Sequence, residues 1–328
     1  MKFRCNNLLV TGGSGFIGSN FIEYIFNKYD NIKIINLDNL TYAGSIENTL
    51  AFKDNDNYTF IKGDICDNSL LKEIFNNYSI DGVINFAAES HVDNSIENPN
   101  IFVKTNIVGV LELMNTACEY WMDKNYVYKN KFSHSRFHQI STDEVYGSSA
   151  HGSFKENDNY RPNSPYSASK ASADMLVRSF NKTYGLNTTI SISSNNFGKN
   201  QNNEKFIPKI LNSIISNSEI PVYGNGYNVR DWIFVEDNCN AIDLIFNYAK
   251  SGEKFNVGAN NEIKNIDLIK IISSILSIEP KINFIKDRKG HDFRYSLDTS
   301  KIKDKLNWSP RNNFEVSLKN YIDYKIKL

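Results

Sequence analysis

The stretch Thr11-Gly-Gly-Ser-Gly-Phe-Ile-Gly18 spaces Gly12, Gly15 and Gly18 as G-x-x-G-x-x-G between two segments of different pattern. Ahead of it, Asn7 to Thr11 reads as a short apolar strand. Behind it, Phe16, Ile17, Phe21, Ile22 and Ile25 recur at helical spacing up to about Tyr29. Strand, glycine turn and helix in that order make a phosphate cradle. Gly12 permits the tight turn, Gly15 lets a pyrophosphate approach the backbone, and Gly18 lets the helix pack on the strand. The helix N-terminus adds unpaired N–H groups and the positive end of its dipole. Asp38 closes the next strand, Ile32 to Leu37, and lies 20 residues beyond Gly18. A carboxylate there accepts hydrogen bonds from both hydroxyls of an adenosine ribose. The same charge repels a 2′-phosphate, so the pattern favours NAD over NADP.

Outward from the cradle, Thr59 to Ile65, Val83 to Ala88, His138 to Ser141 and Thr188 to Ser193 read as further strands. Helical patterns run over Ile101 to about Tyr120 and Tyr166 to about Tyr184. This alternation predicts an α/β fold, a doubly wound parallel sheet of the Rossmann type. Asp64 and Ile65 after the third strand are placed to flank the adenine, and the small Ala87 and Ala88 to line the cofactor groove. After Asn195 the texture changes. Lys199 to Glu204 is polar loop, and Val222-Tyr223, Trp232 to Val235 and Phe255 to Val257 are short strands. A helix from about Ile266 to Ile278 precedes Pro280. The expected division is residues 1–194 for the NAD-binding domain and 195–328 for a second, smaller α/β substrate-binding domain, part of 228–258 returning to the first.

Composition narrows the class. The 328 residues carry 37 Lys+Arg against 37 Asp+Glu, a neutral balance with no electrostatic footprint for nucleic acid or an anionic membrane. No unbroken apolar run approaches the roughly 18 residues of a membrane span. Leu8-Leu9-Val10 is too short for a signal peptide's apolar region. Cys5, Cys66, Cys118 and Cys239 follow no Cys-x-x-Cys or His spacing, which predicts free thiols in a reducing, cytoplasmic setting and no metal site.

Two short motifs carry chemistry. Tyr166-Ser-Ala-Ser-Lys170 puts a phenol and an ammonium on one helical face, where the cation is expected to favour the phenolate and make Tyr166 a base. Spacing alone is weak, since Tyr24/Lys28, Tyr29/Lys33, Tyr58/Lys62, Tyr120/Lys124 and Tyr321/Lys325 share it. Tyr166 differs in opening a helix after Pro162 and Pro165, 24 residues beyond Thr142. Thr142 can donate to a substrate oxygen, completing a Thr/Tyr/Lys set for hydride transfer. The adjacent Asp143 and Glu144 ask for more. Neighbouring carboxyls in unequal environments can have their pKa values pushed apart, one staying an acid while the other is a base. Over a cofactor groove, that is equipment for removing water.

With these residues in view the chain resembles the extended short-chain dehydrogenase/reductases, and among them the dTDP-glucose 4,6-dehydratases. The likeness includes Phe86-Ala-Ala-Glu-Ser-His-Val-Asp93, Ser141-Thr-Asp-Glu-Val-Tyr-Gly147, Asn195-Asn196, Glu204-Lys-Phe-Ile-Pro208, Asn228-Val-Arg-Asp-Trp232 and Asp287-Arg-Lys-Gly-His-Asp292. It implies a redox-neutral lyase with tightly held NAD: oxidation at sugar carbon 4 with Tyr166 as base, proton removal from carbon 5 by Glu144, protonation of the leaving 6-hydroxyl by Asp143, and hydride return to carbon 6. It adds Phe16, Ile17, Asn39, Thr41, Ser90, Thr105 and Asn196 around the cofactor, with Lys170 on the nicotinamide ribose. For a nucleotide-sugar substrate it points to His91, Thr142, Asn195, Lys205, Phe206, Arg230, Asn265, Asp287, Arg288 and His291, with Pro221 and Tyr223 along the base. Guanidinium forks at Arg230 and Arg288 suit a diphosphate. The resemblance also implies a homodimer formed through the helices at Ile101 to Tyr120 and Tyr166 to Tyr184. Asn94, Phe197 and Lys199 depart from residues frequent in the family, which leaves UDP-glucose open beside dTDP-glucose. A nucleotide-sugar 4-epimerase is the nearest other reaction on such a fold. His134, His138 and His151 match no motif and read as structural or exposed.

Overall fold

The computed structural model describes residues 3–327. Its centre is a seven-stranded sheet made of β1 (Asn7–Thr11), β2 (Lys33–Asp38), β3 (Tyr58–Lys62), β4 (Gly82–Asn85), β5 (Arg136–Thr142), β6 (Thr188–Ser193) and β7 (Glu253–Val257). The order across the sheet is β7-β6-β5-β4-β1-β2-β3, and every pairing is parallel. The strand order therefore reverses between β1 and β4, the switch point where a doubly wound sheet opens a crevice at its carboxyl edge.

Alternate side chains of one strand face opposite sides of the sheet, and β1 shows the consequence. Leu9 joins a core with Ile35, Leu113, Val177 and Phe180, whereas Leu8 and Val10 join Phe21, Ile34, Ile84 and Phe246 on the other face. Helices α1 (Phe16–Lys28) and α6 (Val235–Tyr248) cover the second face. Helices α2 (Asn68–Tyr78), α3 (Pro99–Trp121) and α4 (Pro165–Tyr184) cover the first. Both β7 and α6 come from the later part of the chain yet complete the large sheet.

A smaller unit gathers Glu219–Tyr223 with Lys281–Ile285 in a parallel pair, and Val229–Phe234 with Glu262–Lys264 and Asn195–Phe197 in a three-stranded sheet. Helices α5 (Phe206–Ile215), α7 (Asn265–Leu276) and α8 (Phe314–Ile326) close it over a core containing Phe197, Leu211, Trp232, Leu268 and Leu318.

Several sequence expectations change. The helix α2 has no counterpart among them, although Asp67 caps it by accepting from the Leu70 N–H and Leu71, Ile74 and Phe75 bury its apolar face. The third strand stops at Lys62 and the fourth at Asn85, because the chain leaves the ladder there to wrap the sheet's carboxyl edge. The long helix is interrupted by a π turn over Lys104–Gly109. Pro99–Trp121 is also, by length and composition, apolar enough to cross a membrane, with 44% of its apolar window buried. The polar Lys104, Asn106 and Glu112 that broke the apolar run in the sequence are diluted across that longer helix.

Candidate active site

The glycine turn sits at the switch point. Gly12 has φ +69°, and a Cβ there would lie 2.6 Å from the Ala87 nitrogen; one on Gly18 would lie 2.4 Å from the Gly12 oxygen. Glycine is required by both close approaches. The N-terminus of α1 begins at Gly15 with no side-chain cap and no acid in its first turn, so its positive end is left for an anion. Asp38 is buried, which raises its carboxyl. Each oxygen accepts one backbone N–H, from Ser14 at 2.9 Å and from Leu40 at 2.8 Å. Second lone pairs stay available for ribose hydroxyls. These features fit NAD.

One continuous groove runs from this turn to the catalytic motifs. Its lining includes Gly12, Gly15, Phe16, Ile17, Gly18, Asp38, Asn39, Thr41, Asp64, Ile65, Ala87, Ala88, Ser90, Thr105 and Asn196 at the cofactor end. Thr142, Asp143, Glu144, Tyr166, Lys170, Asn195, Lys205 and Phe206 line the other. Over it, Tyr42 forms a strap. Its hydroxyl lies 3.3 Å from the Ser90 Oγ and accepts from the Ser90 N–H, while Asn202 donates to its carbonyl and Lys205 donates to the Ser90 carbonyl.

Local rules place the reactive side chains. Thr142 ends β5 and caps the 3-10 turn Asp143–Tyr146, its hydroxyl accepting weakly from the Glu144 N–H at 3.4 Å. Ser164 and Ser167 form a reciprocal capping box at the start of α4 with Pro165 in the first turn. That fixes the chain entry and aims Tyr166 and Lys170 inward. Tyr166 is buried, and the Thr142 side chain acts to lower its phenol.

The charges differ from the simple Tyr/Lys expectation. Burial raises the Tyr166 phenol well above its ordinary value, and the Glu144 and Asp143 charges push the same way. The Lys170 Nζ donates to the Ile140 carbonyl at 2.6 Å, and it makes no hydrogen bond to Tyr166 among the described residues. A shared helical face does not decide where a long side chain ends. Burial pulls Lys170 down to about 8, opposed by Asp174.

The acid pair is buried unequally. Asp143 is 3% exposed; burial and then the Glu144 charge hold its carboxyl well above the usual carboxylate range. Its Oδ2 has no hydrogen-bond partner among the described residues. Glu144 is raised by burial too, but Arg288, Arg230 and Lys205 act to lower it. Burial and its neighbour's charge thus push one carboxyl up, while three cations pull the other back down.

Eight of the expected substrate residues (His91, Pro221, Tyr223, Arg230, Asn265, Asp287, Arg288 and His291) lie outside the groove lining. Several of them form a cluster beyond Glu144. Arg230 stacks on Tyr295 at 4.3 Å and donates to the Val229, Phe293 and Asp292 carbonyls, with no carboxylate within 4.0 Å among the described residues. Arg288 lies 3.7 Å from Asp93, and its Nε is buried without a partner among the described residues. Tyr223 donates to Asp93, and His291 bonds to Asp287. The His91 ring accepts from the Asn94 N–H, and its other nitrogen lies 3.9 Å from Glu204. Pro221 shares its strand with Tyr223. The Asn265 backbone N–H donates to the Asn228 carbonyl, and the Asn265 Oδ1 is buried with no partner among the described residues. Arg230, buried with no carboxylate beside it, and the half-buried Arg288 make this cluster a candidate anion site.

The sequence reading passed over Asn106. It lies in the π turn, accepts from the Glu89 N–H, and donates to the Glu89 carbonyl and the Ser169 Oγ. It thereby ties the loop after β4 to α4. The only signal was an Asn inside an apolar helical pattern.

Of the unassigned histidines, His138 is buried between Thr189 and Ser191, His134 contacts Asp81 and His151 is exposed. No group of three metal-ligating side chains occurs among the described residues.

The family model described as GDP-mannose 4,6 dehydratase matches residues 9–321. A dTDP-glucose 4,6-dehydratase of Xanthomonas campestris is 42% identical, covering 96% of this chain and 92% of its own. One of Haemophilus influenzae is 43% identical, covering 97% of each. The crystal structure of the dTDP-glucose 4,6-dehydratase DesIV from Streptomyces venezuelae, with NAD bound, superposes with a TM-score of 0.91 at 36% identity, over 98% of this chain and 97% of that one. Matching such proteins over nearly its whole length, the chain belongs to the dTDP-glucose 4,6-dehydratase family.

Proposed function

We propose that this chain is an NAD-dependent hydro-lyase that converts dTDP-glucose to dTDP-4-keto-6-deoxyglucose. The observation that carries the reading is the unequal acid pair. Asp143 is buried, its carboxyl pushed up and one oxygen without a partner among the described residues; Arg288, Arg230 and Lys205 pull the Glu144 carboxyl down; and both residues line the groove of the glycine turn.

NAD, held by the glycine turn and Asp38, supplies a hydride acceptor for carbon 4 of the sugar and later a donor for carbon 6. Tyr166 takes the proton of the 4-hydroxyl, and Thr142 holds the 4-oxygen. Lys170 supplies the cation that favours the phenolate over the opposing carboxyl charges. Once carbon 4 is a ketone, the proton on carbon 5 is acidic. Glu144 removes it, and Asp143 protonates the departing 6-hydroxyl. Arg230, Arg288 and Lys205 attract the diphosphate. A 4-epimerase needs no such acid, so a buried carboxyl pushed up beside the groove favours dehydration.

The chain works as a homodimer. Ile101, Val103 and Val108 on α3 and Met175 on α4 are exposed, an apolar patch on the two helices for which a second copy is the expected cover. A cytoplasmic setting agrees with four unpaired cysteines, of which Cys5 and Cys239 are buried.

The test is turnover of dTDP-glucose carrying deuterium at carbon 4, and of unlabelled substrate in heavy water. The expected product holds the carbon 4 label at carbon 6 and solvent deuterium at carbon 5. Product that keeps its 6-hydroxyl refutes dehydration. Parallel assays with UDP-glucose settle the nucleotide, and a lower KM for UDP-glucose would reverse that choice.

A further inference from the structure

One turn beyond Lys170, α4 buries a carboxyl that the reaction above does not use. Asp174 is 2% exposed. Its Oδ2 accepts from the Ser141 Oγ at 2.6 Å and from the Tyr160 hydroxyl at 3.0 Å. Its Oδ1 is buried with no partner among the described residues. Ser141 immediately precedes Thr142, so this one carboxyl joins the helix bearing Tyr166 and Lys170 to the strand end bearing the acid pair. Lys170 makes the parallel tie from the same helix, to the Ile140 carbonyl.

An amide would accept both hydrogen bonds equally well, and burying an unpaired carboxylate is costly. The hydrogen bonds therefore do not explain the acid; a charge near it does. Lys170 lies at i, i+4 on the same helical face, and no carboxylate lies within 4.0 Å of it among the described residues. The other groups facing Asp174 are Ser141 from β5, Tyr160 from the loop before α4, and Lys254 from β7, whose Nζ lies 3.3 Å from the Tyr160 hydroxyl. Lys170 in turn donates to the Ile140 carbonyl and lines the same groove as Tyr166, Asp143 and Glu144.

We propose that Asp174 is a positioning residue, whose negative charge keeps Lys170 an ammonium and whose bond to Ser141 seats α4 against the Thr142–Glu144 turn. The inference rests on the roles given above to Tyr166 and Lys170. The direction of the titrations agrees. Burial brings Lys170 down to about 8, and the Asp174 charge opposes that fall. Burial raises Asp174 to about 6, with Ser141 and Lys170 opposing, so at neutral pH it is mostly charged. Without it, Lys170 would lose its proton within the working range and no longer favour the Tyr166 phenolate.

The experiment uses the NAD-loaded protein, labelled with carbon-13 at the lysine ε position, with the Lys170 resonance assigned by its loss in Lys170→Met. In Asp174→Asn the Lys170 midpoint should fall by about one pH unit or more. The alkaline limb of kcat/KM should move the same way in the folded variant. An unmoved midpoint in a folded variant overturns the proposal. Should Asp174→Asn not fold, the parent decides: its Lys170 signal should show a second inflection near pH 6 as Asp174 takes up its proton, and a single inflection overturns the proposal. These titrations do not depend on the sugar. Protein that titrates as expected but forms no 4-keto product supports this inference and refutes the proposed reaction.

Discussion

Replacing Asp143 by Asn tests the acid pair most directly, because the substitution keeps the shape and removes only the transferable proton. The structure gives little else to lose. One oxygen of Asp143 receives a weak contact from the Thr142 hydroxyl at 3.4 Å, and the other receives none. Loss of a positioned general acid slows a step by about 10²- to 10⁴-fold, which is roughly 3 to 5 kcal/mol of barrier at about 1.36 kcal/mol per decade. Elimination should slow by that factor, while Tyr166, Thr142 and Glu144 remain. On rapid mixing with dTDP-glucose, the variant should therefore build up reduced-nicotinamide absorbance that the parent does not accumulate. In heavy water it should still exchange the carbon 5 hydrogen. Stability should move the other way. Burial raises the folded pKa, so between the ordinary value of 3.8 and that raised value the native chain holds a proton that the unfolded chain has released. Stability then falls as pH rises through the window. The amide has no such penalty, so Asp143→Asn should melt above the parent at neutral pH, the gap closing as the pH falls to about 4. Product formation within about tenfold of the parent, or failure of the absorbance to rise, would refute the assignment of Asp143 as the acid.

Gly12→Ala should lose bound NAD and lower the melting temperature, since φ is +69° and the added carbon meets the Ala87 backbone at 2.6 Å; purified variant holding NAD at the parent's stoichiometry would contradict the cradle. Tyr42→Phe removes the hydroxyl that joins the strap to Ser90 and should speed exchange of bound for labelled NAD several-fold, up to about tenfold for one hydrogen bond, with an unchanged exchange rate counting against the strap. Val108→Glu should convert a dimer to a monomer in light scattering, because it places a charge on the exposed apolar patch of α3; a variant that stays dimeric would move the interface elsewhere.

What could be read from sequence was what is local. The glycine turn, β1 and β6 depend on neighbours a few residues away, and their observed bounds coincide with the predicted ones. Asp143 and Glu144 were visible as residue types for the same reason. Their inequality was not, because it comes from Lys205, Arg230 and Arg288, which lie between 61 and 144 residues further along the chain. Helix α2 was missed although Asp67 caps it, since its buried face rests on only three apolar positions and short amphipathic patterns compete poorly with turn-like Asn and Ser.

The Tyr166/Lys170 pair shows the limit most clearly. Periodicity places both on one face of α4, and that held. The charge coupling expected from it depends on where the Lys170 ammonium ends, and the Ile140 carbonyl of another element takes it. Asn106 and Asp174 follow the same logic: each is one polar residue in a helical pattern, given meaning by partners on the loop after β4 or at the end of β5. In this fold the strand ends converge at one edge, so side chains far apart in sequence set each other's protonation. The residue types of the chemistry are therefore legible in short motifs, while the electrostatics that would make one carboxyl an acid and its neighbour a base exist only after the sheet has formed.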